Sequence, residues 1–435
     1  MPIVVLSDLF LSLLVFGFAG WGAFFLAKRA RVSVKPFLVS VAFLVPVGVL
    51  LYVAGSPFFQ ISDGIFYQAW GTAIAESWAG GPDAPIEGKW PGKVVWPTVI
   101  AIFTYLFGTV TVTLITLNAC LFGFSVLVTQ QSLRLLTGQD APFWVSLFAL
   151  TSTPFLIFGP SLLRESVYWL GASLGVLAVA HLRVRRFLPA SLALIGSSLL
   201  VLAIRPDAGV VLVYSFVAAI AVLAGLSRTV FSNPAARLGA WAVIPALVVT
   251  VSPAVEFVRP GVEATTIVRS ASNLGDETAR SAFTSPTGSF VGAGSPQPST
   301  SPQPSTSPQP LCESFLVGQV VCKAFAHMPF ALFGPFPWEY QASPIWIVAG
   351  FSTMHFLLLS FFALFYVLRP STFDWAGLLI IGVAAVSMVL FASVLTNYGI
   401  LIRFRATVEI ILLPLAVAGF MGFREVLNRR RAETP

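Results

Sequence analysis

The sequence predicts an all-α polytopic membrane protein of about eleven transmembrane helices, within a range of nine to thirteen. An outer-face interfacial helix and one long, partly disordered outer loop complete the expected architecture. Three observations carry this. Of 435 residues, 57% are hydrophobic and 10% charged, against about 25% charged in an ordinary soluble domain. The apolar residues form runs that approach the length of about 20 residues needed to cross a bilayer. The basic residues, which give a net charge of +7, stand in short clusters between those runs, as in chains oriented by their cytoplasmic loops. Nucleic-acid binding, which needs basic residues gathered on a folded polar face, does not fit this pattern.

Taken in order, the apolar windows are 8-27, 37-54, 111-130, 141-158, 166-182, 188-203, 208-226, 238-255, 344-367, 375-395 and 406-423. The first is followed by Lys28, Arg29 and Arg31 and lacks a small-residue cleavage site preceded by a basic start, so it reads as a retained span. One alternating set of loops holds Lys28, Arg29, Arg31, Lys35, Arg134, Arg183, Arg185, Arg186, Arg228, Arg237, Arg369, Arg424 and Arg429 to Arg431. That set belongs in the cytoplasm. The N-terminus then lies outside, the C-terminus inside, and the setting is a cytoplasmic (inner) membrane. Three regions follow: an N-terminal transmembrane module, 1-255, with a first outer loop 55-110; an outer loop, 256-343; and C-terminal helices with a basic tail, 344-435.

The first outer loop carries Asp63 in the stretch SDGIFYQAW, with Tyr67 four residues on and so on the same helix face. A helix is expected over Ser62 to Trp78. Asp63 can be its N-cap, a reactive carboxylate, or both. From Gly80 to Lys93 the chain reads as an acceptor-side loop in which Lys89, Trp90 and Lys93 are contact residues. The window 94-108 is short and holds Pro97; if it crossed, every later basic cluster would change sides. It is therefore expected as a helix at the outer interface, with Trp90, Trp96 and Tyr105 at headgroup depth.

The second outer loop is rich in Ser, Thr, Pro and Gly over 270-310, where SPQPST occurs twice in tandem before a third SPQP. Such a composition buries too little apolar surface to offset its ordering entropy. Cys312 and Cys322 follow on the outer side, an oxidising compartment, so a local disulfide between them is expected, with two buried thiols as the alternative. The next stretch, AHMPFALFGPFPWEYQASP with Trp338, is aromatic and proline-rich and suits a rigid lid.

Four sets of charges fall on the outer side: Asp63 with Tyr67, Arg164 with Glu165, Arg205 with Asp207, and Arg403 with Arg405. A single arginine at a membrane edge is ordinarily an interfacial anchor. A set on the disfavoured side needs another cause, and the planar guanidinium fork suits phosphate. The three histidines are far apart, so a zinc site is not expected. Nucleotide-binding motifs and paired inverted halves are not found.

Over residues 37-226 these features resemble the GT-C superfamily of integral membrane glycosyltransferases, the class of protein O-mannosyltransferases and the aminoarabinose transferase of lipid A. The resemblance rests on Asp63 and Tyr67 in the first outer loop, on Pro97 and Leu106-Phe107-Gly108 in the following helix, on Asn118 near the start of the next span, and on Arg164-Glu165 in a later outer turn. It implies transfer of a sugar from a polyprenyl-phosphate donor to a glycan, lipid or protein acceptor on the outer face. Asp63 would be the catalytic carboxylate, and Arg164, Arg205, Arg403 and Arg405 would bind the donor phosphate. Many relatives carry a second acidic residue directly after the first. Here it is Gly64, with Glu76, Asp83 and Glu87 at other spacings, so the expected enzyme uses no metal or other cofactor. Two alternatives remain: a polymerase or ligase of lipid-linked glycans, dependent on Arg205 and Arg403 more than on Asp63, and a non-enzymatic transporter or lipid-handling protein.

Overall fold

The computed structural model describes residues 2–53, 62–82, 91–108, 110–205, 208–217 except 211 and 214, 327–334, 344–369, 374–393 and 398–433. Among these every regular element is helical, and seven helices are long and apolar enough to cross a membrane. The window 238-255, the insert 270-310, Cys312, Cys322, Lys89, Asp207 and Trp338 lie outside the described residues.

Twelve helices form the frame: α1 (Pro2–Ala30), α2 (Lys35–Val53), α3 (Ser62–Trp78), α4 (Pro91–Phe107), α5 (Thr111–Thr137), α6 (Pro142–Leu150), α7 (Thr153–Phe158), α8 (Glu165–Arg183), α9 (Phe187–Ile204), α10 (Pro344–Leu368), α11 (Trp375–Ser393) and α12 (Tyr398–Glu433). Helices α5, α8 and α12 form the centre, since most of their residues are buried. Helix α1 is peripheral and shows Leu6, Phe10, Leu13, Phe18 and Trp21 on its surface, as a lipid-facing helix does.

Residue contacts fix the direction of each helix. Helices α2 and α5 are antiparallel: a side chain at Gly48 would strike Ile115, and one at Gly123 would strike Phe37. The end of α2 and the start of α5 therefore share one end of the bundle, so the segment 54–110 leaves and returns there. Helix α5 runs parallel to α8, with Asn118 bonded to the carbonyls of Ser161 and Leu163 and Arg183 bonded to the Leu135 carbonyl. Helix α10 runs parallel to α12, with Thr353 at Arg405 and Phe362 at Gly419. The two close to backbone contact at Gly419, where a Cβ would collide with the Phe362 carbonyl. Helix α12 contains Pro414, which removes one backbone hydrogen bond from its middle.

The sequence predicts a single span over 141-158, and the structure divides it. Pro154, at the second position of α7, cannot continue the ladder of α6, and the chain breaks at Thr151 and Ser152. The two halves still make one traverse: Trp144 packs on Phe420 near the far end of α12, while Phe158 lies under Arg403 near its start.

Helix α3 has the limits expected for it. Asp63 falls in its first turn, where a negative charge meets the positive end of the helix dipole. Trp96 departs from expectation. It is 1% exposed and donates its indole N–H to the Leu162 carbonyl at 3.1 Å, so it anchors α4 to the bundle with its ring turned away from the surface.

Two polar ends result, separated by the length of α8, 19 residues or about 28 Å. The far end has a cleft of about 310 Å³ between Arg183, Arg369, Asp374, Glu425 and Phe365. There Arg183 forms an ion pair with Asp374. The charged side chains that line that cleft sum to zero, two arginines against two carboxylates. The near end is different.

Candidate functional site

The near-end site is organised around Glu165, the first residue of α8, which is 2% exposed. Burying a lone carboxylate costs several kcal/mol unless cations answer it. Two do: Arg205 at the end of α9 comes within 3.7 Å of Oε1, and Arg403 in the first turns of α12 within 3.6 Å. Both are at ion-pair distance rather than hydrogen-bond distance. The other oxygen, Oε2, is buried with no hydrogen-bond partner among the described residues.

Arg164 completes the group. Its Nη1 donates to the Ile204 carbonyl at 2.8 Å, closing off the end of α9, and its guanidinium stands 5.6 Å from the ring centre of Tyr67 on α3. Phe404 lies 5.3 Å from the Arg205 guanidinium and Phe158 5.3 Å from that of Arg403, so aromatic faces confine both cations. Three arginines against one glutamate leave a net charge of +2 for the four side chains.

The chain turn at 159–164 presents Arg164 and Glu165, and neighbouring helices hold it. The Asn118 side-chain amide donates to the Ser161 and Leu163 carbonyls, Trp96 to the Leu162 carbonyl, and the Ser166 hydroxyl to the Gly159 carbonyl. Helix α3 closes on the same turn, since a Cβ at Gly64 would lie 3.8 Å from that of Leu162. The backbone of Asp63 thus adjoins the turn that bears Arg164 and Glu165. The side chains of Asp63 and Lys93 are outside the description, although their helices are within it.

Arg405 does not join this group. The expected loop position before the last span is in fact inside α12, where successive residues are 100° apart, so residues 403 and 405 point to nearly opposite sides. Arg405 is 0% exposed, and each of its nitrogens is engaged: Nε donates to the Ala331 carbonyl at 2.7 Å, Nη1 to the Thr353 hydroxyl at 2.7 Å and Nη2 to the Phe330 carbonyl at 3.0 Å. Its structural work is to cap the short helix at 327–333, the described part of the expected lid.

A second polar group lies inside the bundle. Ser152 at the α6–α7 break donates to Oε2 of Glu409 on α12 at 2.6 Å, and Nδ1 of His355 on α10 lies 3.2 Å from the same oxygen. The charges conspicuous in the sequence stand at span ends, whereas Glu409 lies inside the window 406-423. An acidic residue within an apolar span is itself a signal.

Comparison of the chain with known protein families, with curated proteins and with solved structures finds no match.

Proposed function

We propose that the chain is a membrane glycosyltransferase that moves a sugar from a polyprenyl-phosphate donor to an acceptor outside the cytoplasmic membrane. The observation that carries this reading is the group of Arg164, Arg205 and Arg403 around Glu165, with net charge +2, beside the start of the helix that bears Asp63. Guanidinium groups suit the leaving phosphate, and fixed charges in a confined site stabilise the charge that develops there. Asp63 would accept the proton of the acceptor hydroxyl as the new glycosidic bond forms. Glu165 holds Arg205 and Arg403 together against their mutual repulsion before the donor arrives. The assignment of this end to the outer face follows the positive-inside bias of Lys28, Arg134, Arg183 and Arg424 at the opposite ends of the helices.

The test incubates the purified protein with a labelled polyprenyl-phosphate sugar and follows loss of the donor. Asp63→Asn is expected to abolish transfer while the protein remains folded and inserted. Retained transfer in that variant would remove Asp63 from the chemistry and favour a polymerase or ligase dependent on Arg205 and Arg403. A transporter reading is favoured by one observation, the ionisable pair His355–Glu409 beside a broken helix. It predicts uptake of substrate into vesicles with no change in any donor.

A further inference from the structure

We propose that His355 and Glu409 form a second site, a proton-binding pair inside the bundle that joins α10 and α12 to the break between α6 and α7. The hydrogen-bond partners of the His355 ring fix where its hydrogens lie. His355 Nε2 lies 2.9 Å from the Phe148 carbonyl, which can only accept, so Nε2 carries a hydrogen. Nδ1 faces a carboxyl oxygen of Glu409 at 3.2 Å. For that contact to be attractive, one proton must lie between them, either on the ring facing a carboxylate or on a carboxylic acid facing a bare nitrogen.

Both arrangements leave the pair neutral overall, as a low-dielectric interior requires. Loss of the proton leaves a carboxylate against a nitrogen lone pair and a net charge of −1. Glu409 is 0% exposed, His355 7% and Ser152 0%, so water does not answer that charge. Glu409 Oε1 is buried without a hydrogen-bond partner among the described residues.

The other charged groups on the surrounding elements stand apart. On α12, Arg405 lies one turn away on the same face but is committed to Phe330, Ala331 and Thr353, and Arg403 turns to Glu165. On α8, Glu165 belongs to the arginine site, while His181 and Arg183 lie at the far end, as does Arg134 of α5. Helices α6, α7 and α11 carry no charged residue. His327, in the short helix at 327–333, faces the Ala392 carbonyl.

The anatomy of the break gives the proton something to control. Phe148 lies two residues before the end of α6, and His355 reaches its carbonyl, while Ser152 sits in the break itself. A neutral pair therefore ties the Phe148 side of the discontinuity, held by His355, to the Ser152 side, held by Glu409; loss of the proton sets bare Nδ1 against a carboxylate and breaks that tie, while Ser152 keeps its bond to Glu409.

The full chain in phosphatidylcholine nanodiscs, with ring-¹⁵N histidine, tests this. It has three histidines, so the His355 signal is assigned by subtraction with His181→Gln and His327→Gln. Infrared spectra report Glu409 as acid or carboxylate, the band being the one missing from Glu409→Gln. The expected result near neutral pH is one shared proton, seen either as a doubly protonated ring with a carboxylate or as bare Nδ1 with a carboxylic acid. Raising the pH should give a single step to bare Nδ1 plus carboxylate, with a lower melting temperature. In Glu409→Gln, Nδ1 should be bare throughout and the step absent. Bare Nδ1 with a carboxylate near neutral pH would overturn the proposal. So would the absence of any step over the range in which the wild-type fold survives, a reading that needs no variant.

Discussion

Two arginines two residues apart on α12 do unlike work, and substitution should separate them. On the proposed function, Arg403→Gln or Arg205→Gln is expected to slow donor consumption about 100-fold, and the melting temperature should also fall, because Glu165 loses one of the two cations that answer its buried charge. Arg405→Gln strands the carbonyls of Phe330 and Ala331, and the expected loss is about 3 kcal/mol of stability, read as a lower melting temperature in a mild detergent. Arg164, Glu165, Arg205 and Arg403 are legible in the sequence because a cation or carboxylate at the edge of an apolar run is conspicuous. The assignment of Arg405 to that group is not legible, because it depends on where α12 begins. With the helix starting at Tyr398 instead of near residue 406, both arginines are helical and helical geometry parts them.

Helices in this bundle are held by polar contacts that cross from one to another. Asp8 of α1 accepts from the backbone N–H groups of Val112 at 2.9 Å and Thr113 at 2.8 Å, and from the Thr113 hydroxyl, so one helix supplies the cap for the start of α5. Asp8→Ala should cost about 1–2 kcal/mol, measurable by thermal unfolding. Gly419→Val should separate α10 from α12, because its side chain meets backbone and no rotamer relieves the clash. Overpacking of this kind costs about 1–3 kcal/mol, and detergent-resistant folding should fall accordingly. The limits of α3 and the shortness of α4 were both readable from composition and period. The division of 141-158 was not, since Thr151-Ser152-Thr153 and Pro154 are short enough to be carried within one apolar window. The burial of Trp96 was not readable either, because a tryptophan near a membrane surface and one bonded to the Leu162 carbonyl look alike in sequence.

At the scale of the whole molecule, the polar groups of the described residues gather at the two ends of a helical bundle and at the α6–α7 break between them. Deletion of the SPQPST repeats should leave donor consumption unchanged in the labelled-donor assay, because the repeats contain no apolar residue other than proline and no charged one. The membrane class was legible from hydropathy alone, because a bilayer leaves the backbone few ways to satisfy its hydrogen bonds. Convergence of α3, α8, α9 and α12 on Glu165 was not, because it depends on contacts between residues more than 200 positions apart. Helix α12 is also a lever. Arg403 lies 11 residues before Pro414, or about 16 Å along the axis, so a bend of about 5° at the proline would carry its guanidinium about 1.4 Å. That displacement is large against the 3.6 Å that separates it from Glu165, and it would set how wide a gap the paired charges present to whatever enters between them.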